Sequence, residues 1–188
     1  MKRLFLFSVL VSLFLGLHAQ ADYNDFVGTW VYARNDTVFK VKLQKGIMKY
    51  RPDYGDEYLF GSYSLTVKGI MVDNYMGDIP LEVKVDELPD CGVYIYAYPD
   101  PQHPVYAGFT FYDMKKKHLF GEGLPCNVMT LLSSDKLHWK LNEKEGLWFR
   151  LEGGPGEDAS EEEERRWDEA WKLRGFSVPD DVIMIKEE

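Results

Sequence analysis

Between Phe26 and Leu151 the chain repeats one local pattern, a short run of alternating apolar residues closed by a turn. Thr37 to Lys45 carries it most cleanly: Phe39, Val41 and Leu43 fall on one side, Lys40, Lys42 and Gln44 on the other. Successive side chains of a strand point to opposite faces, so this run reads as a strand with one dry face. Val27 to Arg34 precedes it across Asn35-Asp36, a polar pair suited to a tight hairpin. Arg51 to Asp56 is a turn-rich break. Tyr58 to Val67, Ile70 to Asp73, Leu81 to Val85, Val93 to Tyr98, Val105 to Tyr112, Asn127 to Leu132 and Lys136 to Asn142 continue the series. The last of these is expected to pair with Leu147 to Leu151 across Glu143-Lys144-Glu145-Gly146. About ten short strands at such spacing predict an antiparallel sandwich or barrel and exclude an alternating α/β plan.

The pattern changes near the C-terminus. Ser160 is a good N-cap with Glu163 at the capping-box position, and Gly175 is a natural stop. Glu161 to Glu164 suit the positive end of a helix dipole. Trp167, Ala170, Trp171 and Arg174 lie at i, i+3, i+4 and i+7, one stripe on a helix over about 161–174. Val182 to Ile185 reads as one last strand. With neither a repeat nor a linker in it, 22–188 is expected to be a single domain.

The first residues read as a targeting signal. Lys2 and Arg3 lead into an apolar run of 14 residues, Leu4 to Leu17, too short to span a bilayer and right for a secretory core. Ala19-Gln20-Ala21 supplies a cleavage site after Ala19 or Ala21, and no cysteine beside it suggests a lipid anchor. The expectation is a signal peptide over 1–21 and an exported protein, periplasmic or secreted and not inserted in the membrane. A net charge of −9 argues against nucleic acid, which needs a basic stripe, and against anionic lipid surfaces. Cys91 and Cys126 are the only cysteines. In an oxidising compartment they either pair, closing a loop of about 35 residues worth ~3–4 kcal/mol, or pack as buried thiols.

Phe26-Val27-Gly28-Thr29-Trp30 opening the first strand, the barrel-length strand series, the late helix and the short final strand resemble the lipocalin (calycin) plan. That resemblance implies a lipocalin-like barrel whose Trp30, set by Gly28, plugs the closed end beneath a cation from the last barrel strand. Arg150, in Trp148-Phe149-Arg150, is the matching candidate. The chain also resembles an uncharacterised family of small secreted proteins from Bacteroidota-type bacteria. The matching stretches are Asp25 to Trp30, Thr37 to Val41, Leu59 to Tyr63, Leu137-His138-Trp139 with Glu145-Gly146, and Gly175 to Lys186. This second resemblance implies a fold and a compartment, and no activity.

Chemistry is sparse. His103, His118 and His138 share no metal-ligand spacing, and neither a nucleophile elbow nor a phosphate-binding glycine loop occurs, so no metal or cofactor is expected. Asp53, Asp56 and Glu57 read as a solvated turn in preference to a Ca²⁺ loop. The informative residues are aromatic. Tyr94, Tyr96 and Tyr98 alternate with Val93, Ile95 and Ala97, while Tyr106 and Tyr112 sit opposite Val105, Ala107, Phe109 and Phe111. Strands apolar on both faces need two dry environments. Either the tyrosines line a pocket inside the barrel, or they pack under the helix with Trp167 and Trp171. The leading expectation is a monomeric, non-catalytic binding protein holding a small apolar or amphiphilic ligand through Tyr94, Tyr96, Tyr98, Tyr106 and Tyr112. The alternative is an envelope glycan- or protein-recognition module with a filled barrel, and the third reading is a hydrolase using paired acids.

Overall fold

The computed structural model describes residues 23–100 and 102–187; the expected signal peptide, 1–21, lies outside the described residues. The strands are β1 (Gly28–Arg34), β2 (Thr37–Arg51), β3 (Tyr54–Val67), β4 (Ile70–Asn74), β5 (Glu82–Lys84), β6 (Ile95–Asp100), β7 (His103–Phe111), β8 (Leu124–Ser133), β9 (Lys136–Lys140) and β10 (Asp181–Lys186). Among the described residues three α-helices accompany them: α1 (Tyr23–Phe26), α2 (Glu143–Leu151) and α3 (Glu161–Ala170). Eight strands close an antiparallel barrel in the order β1-β2-β3-β6-β7-β8-β9-β10, with β10 returning to β1. The two remaining strands lie outside the ring, β4 antiparallel to β3 and β5 parallel to β2.

Local sequence explains the hairpins. Asn35 and Asp36 both take left-handed φ, 50° and 63°, the conformation a two-residue hairpin turn demands. The expected break at Arg51 to Asp56 shrinks to a hairpin tip, because β2 and β3 stay paired as far as Arg51↔Tyr54.

Rings pack the barrel interior. Trp139 meets Phe109 at 4.4 Å, Phe39 at 5.7 Å and Phe111 at 5.8 Å between ring centroids, and Phe111 meets Tyr63 at 5.1 Å. Val41, Leu43, Leu59, Ile95, Met129, Leu137 and Met184 fill in around them, all buried. A second cluster, Met48, Phe60, Ile79, Val83 and Val93, lies against the outer face of β2 and β3.

At the closed end Trp30 is 0% exposed and its indole N–H donates to the Phe26 carbonyl at 2.8 Å. The cation over its ring is Lys186, with Nζ 5.2 Å from the centroid. Arg150 does not fill that role, because the segment carrying it is not a barrel strand. The expected hairpin partner Leu147 to Leu151 belongs to α2, and β9 gives its free edge to β10 instead. Leu147 is buried against β8 and Leu151 is partly buried, a spacing of four that suits a helix, while Trp148 and Phe149 face solvent. Gly146 permits this close approach: a Cβ there would lie 2.6 Å from both Leu124 Cγ and the Pro125 carbonyl oxygen.

The capping box at Ser160 and Glu163 forms as the sequence predicts. Helix α3 ends at Ala170, four residues short of the expected 174. The Glu143 carboxylate takes the backbone N–H groups of Arg174 (2.6 Å) and Gly175 (2.9 Å) and pulls the chain out of helical geometry. The same carboxylate contacts His118 Nε2 at 2.8 Å. Asp113 then accepts from Ser177 N (2.6 Å) and Ser177 Oγ (2.7 Å). Two carboxylates thus strap 174–177 to the barrel and aim β10 into the ring. The helix docks through Ala170 and Trp171 on Leu119, Leu124 and Leu147, and Trp171 stacks edge-on with Trp167 at 5.6 Å and Trp148 at 6.0 Å. Its base is thus α2 and the turn before β8, where Gly123 lies against the Tyr112 ring.

Candidate functional site

Alternation decides where the tyrosines go. Ile95 and Ala97 on β6, and Ala107, Phe109 and Phe111 on β7, belong to the buried interior. Tyr96, Tyr98 and Tyr106 therefore stand on the outer wall. Leu59 likewise points inward on β3 and leaves Tyr58 outside. Tyr94 departs from this set. Gly92 (φ 89°) turns the chain just before β6, and the alternation slips so that Tyr94 and Ile95 both point inward. Tyr94 packs at one barrel end with Tyr75 (4.9 Å) and Tyr63 (5.9 Å).

The outer tyrosines are contiguous. Tyr58 lies 6.1 Å from Tyr96 and 6.5 Å from Tyr98, and Tyr96 lies 6.3 Å from Tyr112. The Tyr58 and Tyr50 hydroxyls share a hydrogen bond at 2.6 Å, and Tyr50 stacks with Tyr54 at 6.0 Å. The result is a ribbon from the β2–β3 tip across β6 to the end of β7. Gly108, paired with Tyr98, provides a seat for its ring: a Cβ there would meet the Tyr98 hydroxyl at 3.2 Å. Tyr98 is 56% exposed and Tyr106 37%, whereas Tyr112 is nearly covered at 7%. Acids border the ribbon. Asp56 accepts from the Tyr54 hydroxyl at 3.2 Å, and Asp100 is held by His103 at 2.8 Å.

Burial raises the phenols of Tyr98 and Tyr106, with Cys126 adding to the first effect and Tyr98 to the second. Burial and the hydroxyl of Tyr50 push Tyr58 up further. All three stay protonated at neutral pH and offer hydroxyls that both donate and accept. Such a wall can stack against a flat or ring-shaped target and hydrogen-bond its rim.

Cys91 and Cys126 are free thiols, both half-buried. Burial raises both; Glu145 raises Cys126 further while Arg150 opposes it, so neither thiol is activated as a nucleophile. Among the described residues no three His, Cys, Asp or Glu side chains are grouped to hold a metal ion. The buried Asp113 and the partly buried Glu143 spend their oxygens on the straps described above, and the buried Asp73 binds Lys115 at 3.1 Å. Among the described residues no helix is long and apolar enough to cross a membrane.

Sequence reasoning found Tyr96, Tyr98, Tyr106 and Tyr112 but missed Tyr50, Tyr54 and Tyr58. Their spacing of four around the Pro52-Asp53 tip is visible in the chain, yet only the β2–β3 pairing brings the three rings together. Neither a curated protein nor a solved structure matches the chain. One family model does, over residues 1–187, and it is described as a family of unknown function, DUF6705. With nearly its whole length matched, the chain belongs to the DUF6705 family, whose fold in this member is a closed eight-stranded antiparallel barrel.

Proposed function

We propose that the protein is an exported, non-catalytic recognition module of the cell envelope that binds a neutral glycan chain on its outer tyrosine wall. One observation carries the reading: the interior expected to hold a small ligand is packed with Trp30, Phe39, Phe109 and Trp139, while the outer tyrosines form a contiguous ribbon, exposed at Tyr50, Tyr54 and Tyr98 and half-buried at Tyr58 and Tyr96. Aromatic faces flanked by carboxylates and neutral phenols suit sugar rings, whose C–H faces stack and whose hydroxyls need both donors and acceptors. The acidic border at Asp56 and Asp100 disfavours a strongly anionic polymer. The signal-like N-terminus and the resemblance to secreted lipocalin-like proteins support the export part of the proposal.

Affinity electrophoresis through gels containing neutral bacterial or plant polysaccharides tests the reading. The wild type should be retarded by at least one of them, and Tyr58→Ala with Tyr98→Ala should abolish the retardation without changing the melting temperature by more than a few degrees. Equal retardation of wild type and double variant would refute it.

A further inference from the structure

The barrel closes unevenly. β1 pairs with β2 along its whole length, Gly28 to Arg34, and β10 pairs with β9 from Asp181 to Ile185. Between β1 and β10, however, the ladder consists of Trp30↔Lys186 and Val31↔Ile185 alone. The Glu187 N–H donates to the Thr29 carbonyl at 2.8 Å, and this fixes the phase. Peptide groups alternate sides along a strand, so Thr29, Val31 and Ala33 turn theirs toward β10, and Glu187, Ile185 and Ile183 toward β1. The next rung would join Ala33 to Ile183, and it is missing from the register. There the wall opens into a groove of about 700 Å³ lined by Val31, Ala33, Val182 and Ile183 among others, with Arg34 and Asp181 at the open end.

Two facing strand edges with unused N–H and C=O groups are complementary to another main chain. Its occupant must have both of its own edges free. A strand from a second folded copy fails this test, because β4 and β5 are each tied along one edge to β3 and β2. A linear peptide passes it. The charges narrow the choice further. Asp181 is held by His138 at 2.7 Å, Glu187 by Lys40 at 2.6 Å, and Lys186 sits over Trp30. Arg34 is the exposed charge of the groove with neither a hydrogen bond nor an ion pair among the described residues.

We propose that the β1–β10 seam is a strand-acceptor site: it takes a short extended peptide, apolar at alternate positions, whose carboxylate meets Arg34. The site lies on the wall away from the tyrosine ribbon, so the two proposals stand or fall separately.

The test uses the full chain and a fluorescein-labelled peptide of about eight residues, alternating valine and threonine and ending in glutamate, long enough to cross the open part of the seam at ~3.3 Å per residue. Fluorescence anisotropy should show saturable binding. N-methylation of alternate peptide bonds should weaken it about tenfold or more, because it removes the donors to one edge. With both peptides amidated at the C-terminus, Arg34→Glu should weaken the glutamate peptide about fivefold and leave a glutamine-ended peptide unchanged. Hydrogen exchange at the amides of Ala33 and Ile183 should slow when the peptide is present. Equal binding of the N-methylated peptide, no binding at millimolar concentration, or protection elsewhere would overturn the proposal. So would a peptide-free dimer in which Ala33 and Ile183 are already protected, since a second copy would then own the seam.

Discussion

Trp30 offers the sharpest test of how this barrel is held shut. An indole buries roughly 150–250 Å², which at ~25 cal/mol per Å² is worth about 4–6 kcal/mol against an extended chain. A realistic unfolded ensemble lowers that to ~3–4 kcal/mol. Truncation also strands the Phe26 carbonyl, bonded to the indole N–H at 2.8 Å, at a cost of ~1 kcal/mol. Trp30→Ala should therefore lose about 4 kcal/mol, a large share of the ~5–15 kcal/mol that a domain has. With a urea slope of about 2 kcal/mol per molar, the midpoint should fall by about 2 M, read by far-UV circular dichroism because the variant loses one of the five tryptophans that report by fluorescence. Lys186→Met isolates the cation: it keeps the stem beside Gly28 and removes the charge 5.2 Å from the ring, for a loss of ~0.5–1 kcal/mol. Arg150→Met, on α2, should cost less than that. A change of under ~1 kcal/mol in Trp30→Ala, or a larger loss from Arg150→Met than from Lys186→Met, would refute the plug and its lid.

Two further outcomes follow from the buried polar groups. Glu143→Ala should destabilise the protein by about 2–3 kcal/mol and speed hydrogen exchange through 161–175, since it frees His118 and the N–H groups of Arg174 and Gly175 together; unchanged exchange there would show that the strap is not holding the helix. Burial holds the phenols of Tyr58, Tyr63 and Tyr112 above their ordinary value, so in the folded state they keep their protons after the unfolded chain has lost them. Stability should then be insensitive to these groups below pH ~10 and fall as pH rises past it, and absorbance titration at alkaline pH should show a delayed set of tyrosines that ionises only on unfolding.

Much of the architecture is written locally. The alternation of Phe39, Val41 and Leu43 dictates the inner face of β2, Asn35-Asp36 dictates its hairpin, and Ser160 with Glu163 dictates where α3 begins. Each depends on residues within a few positions of one another, so the chain alone reveals it. Leu147 to Leu151 illustrates the limit. Its apolar and aromatic residues fit a strand as well as a helix, and the choice falls to β10, which takes the edge of β9, and to Gly146, which lets α2 settle on Leu124. The cation over Trp30 is likewise a matter of ring closure: Lys186 reaches the indole because two distant carboxylates, Asp113 and Glu143, steer the last strand into place. The tyrosines show the same division. Period-two alternation sets Tyr96, Tyr98 and Tyr106 on one side of their strands. Whether that side faces the barrel axis or the solvent is decided by which face can fill the interior, and Ile95, Ala97, Phe109 and Phe111 fill it, leaving the phenols of Tyr96, Tyr98 and Tyr106 outside.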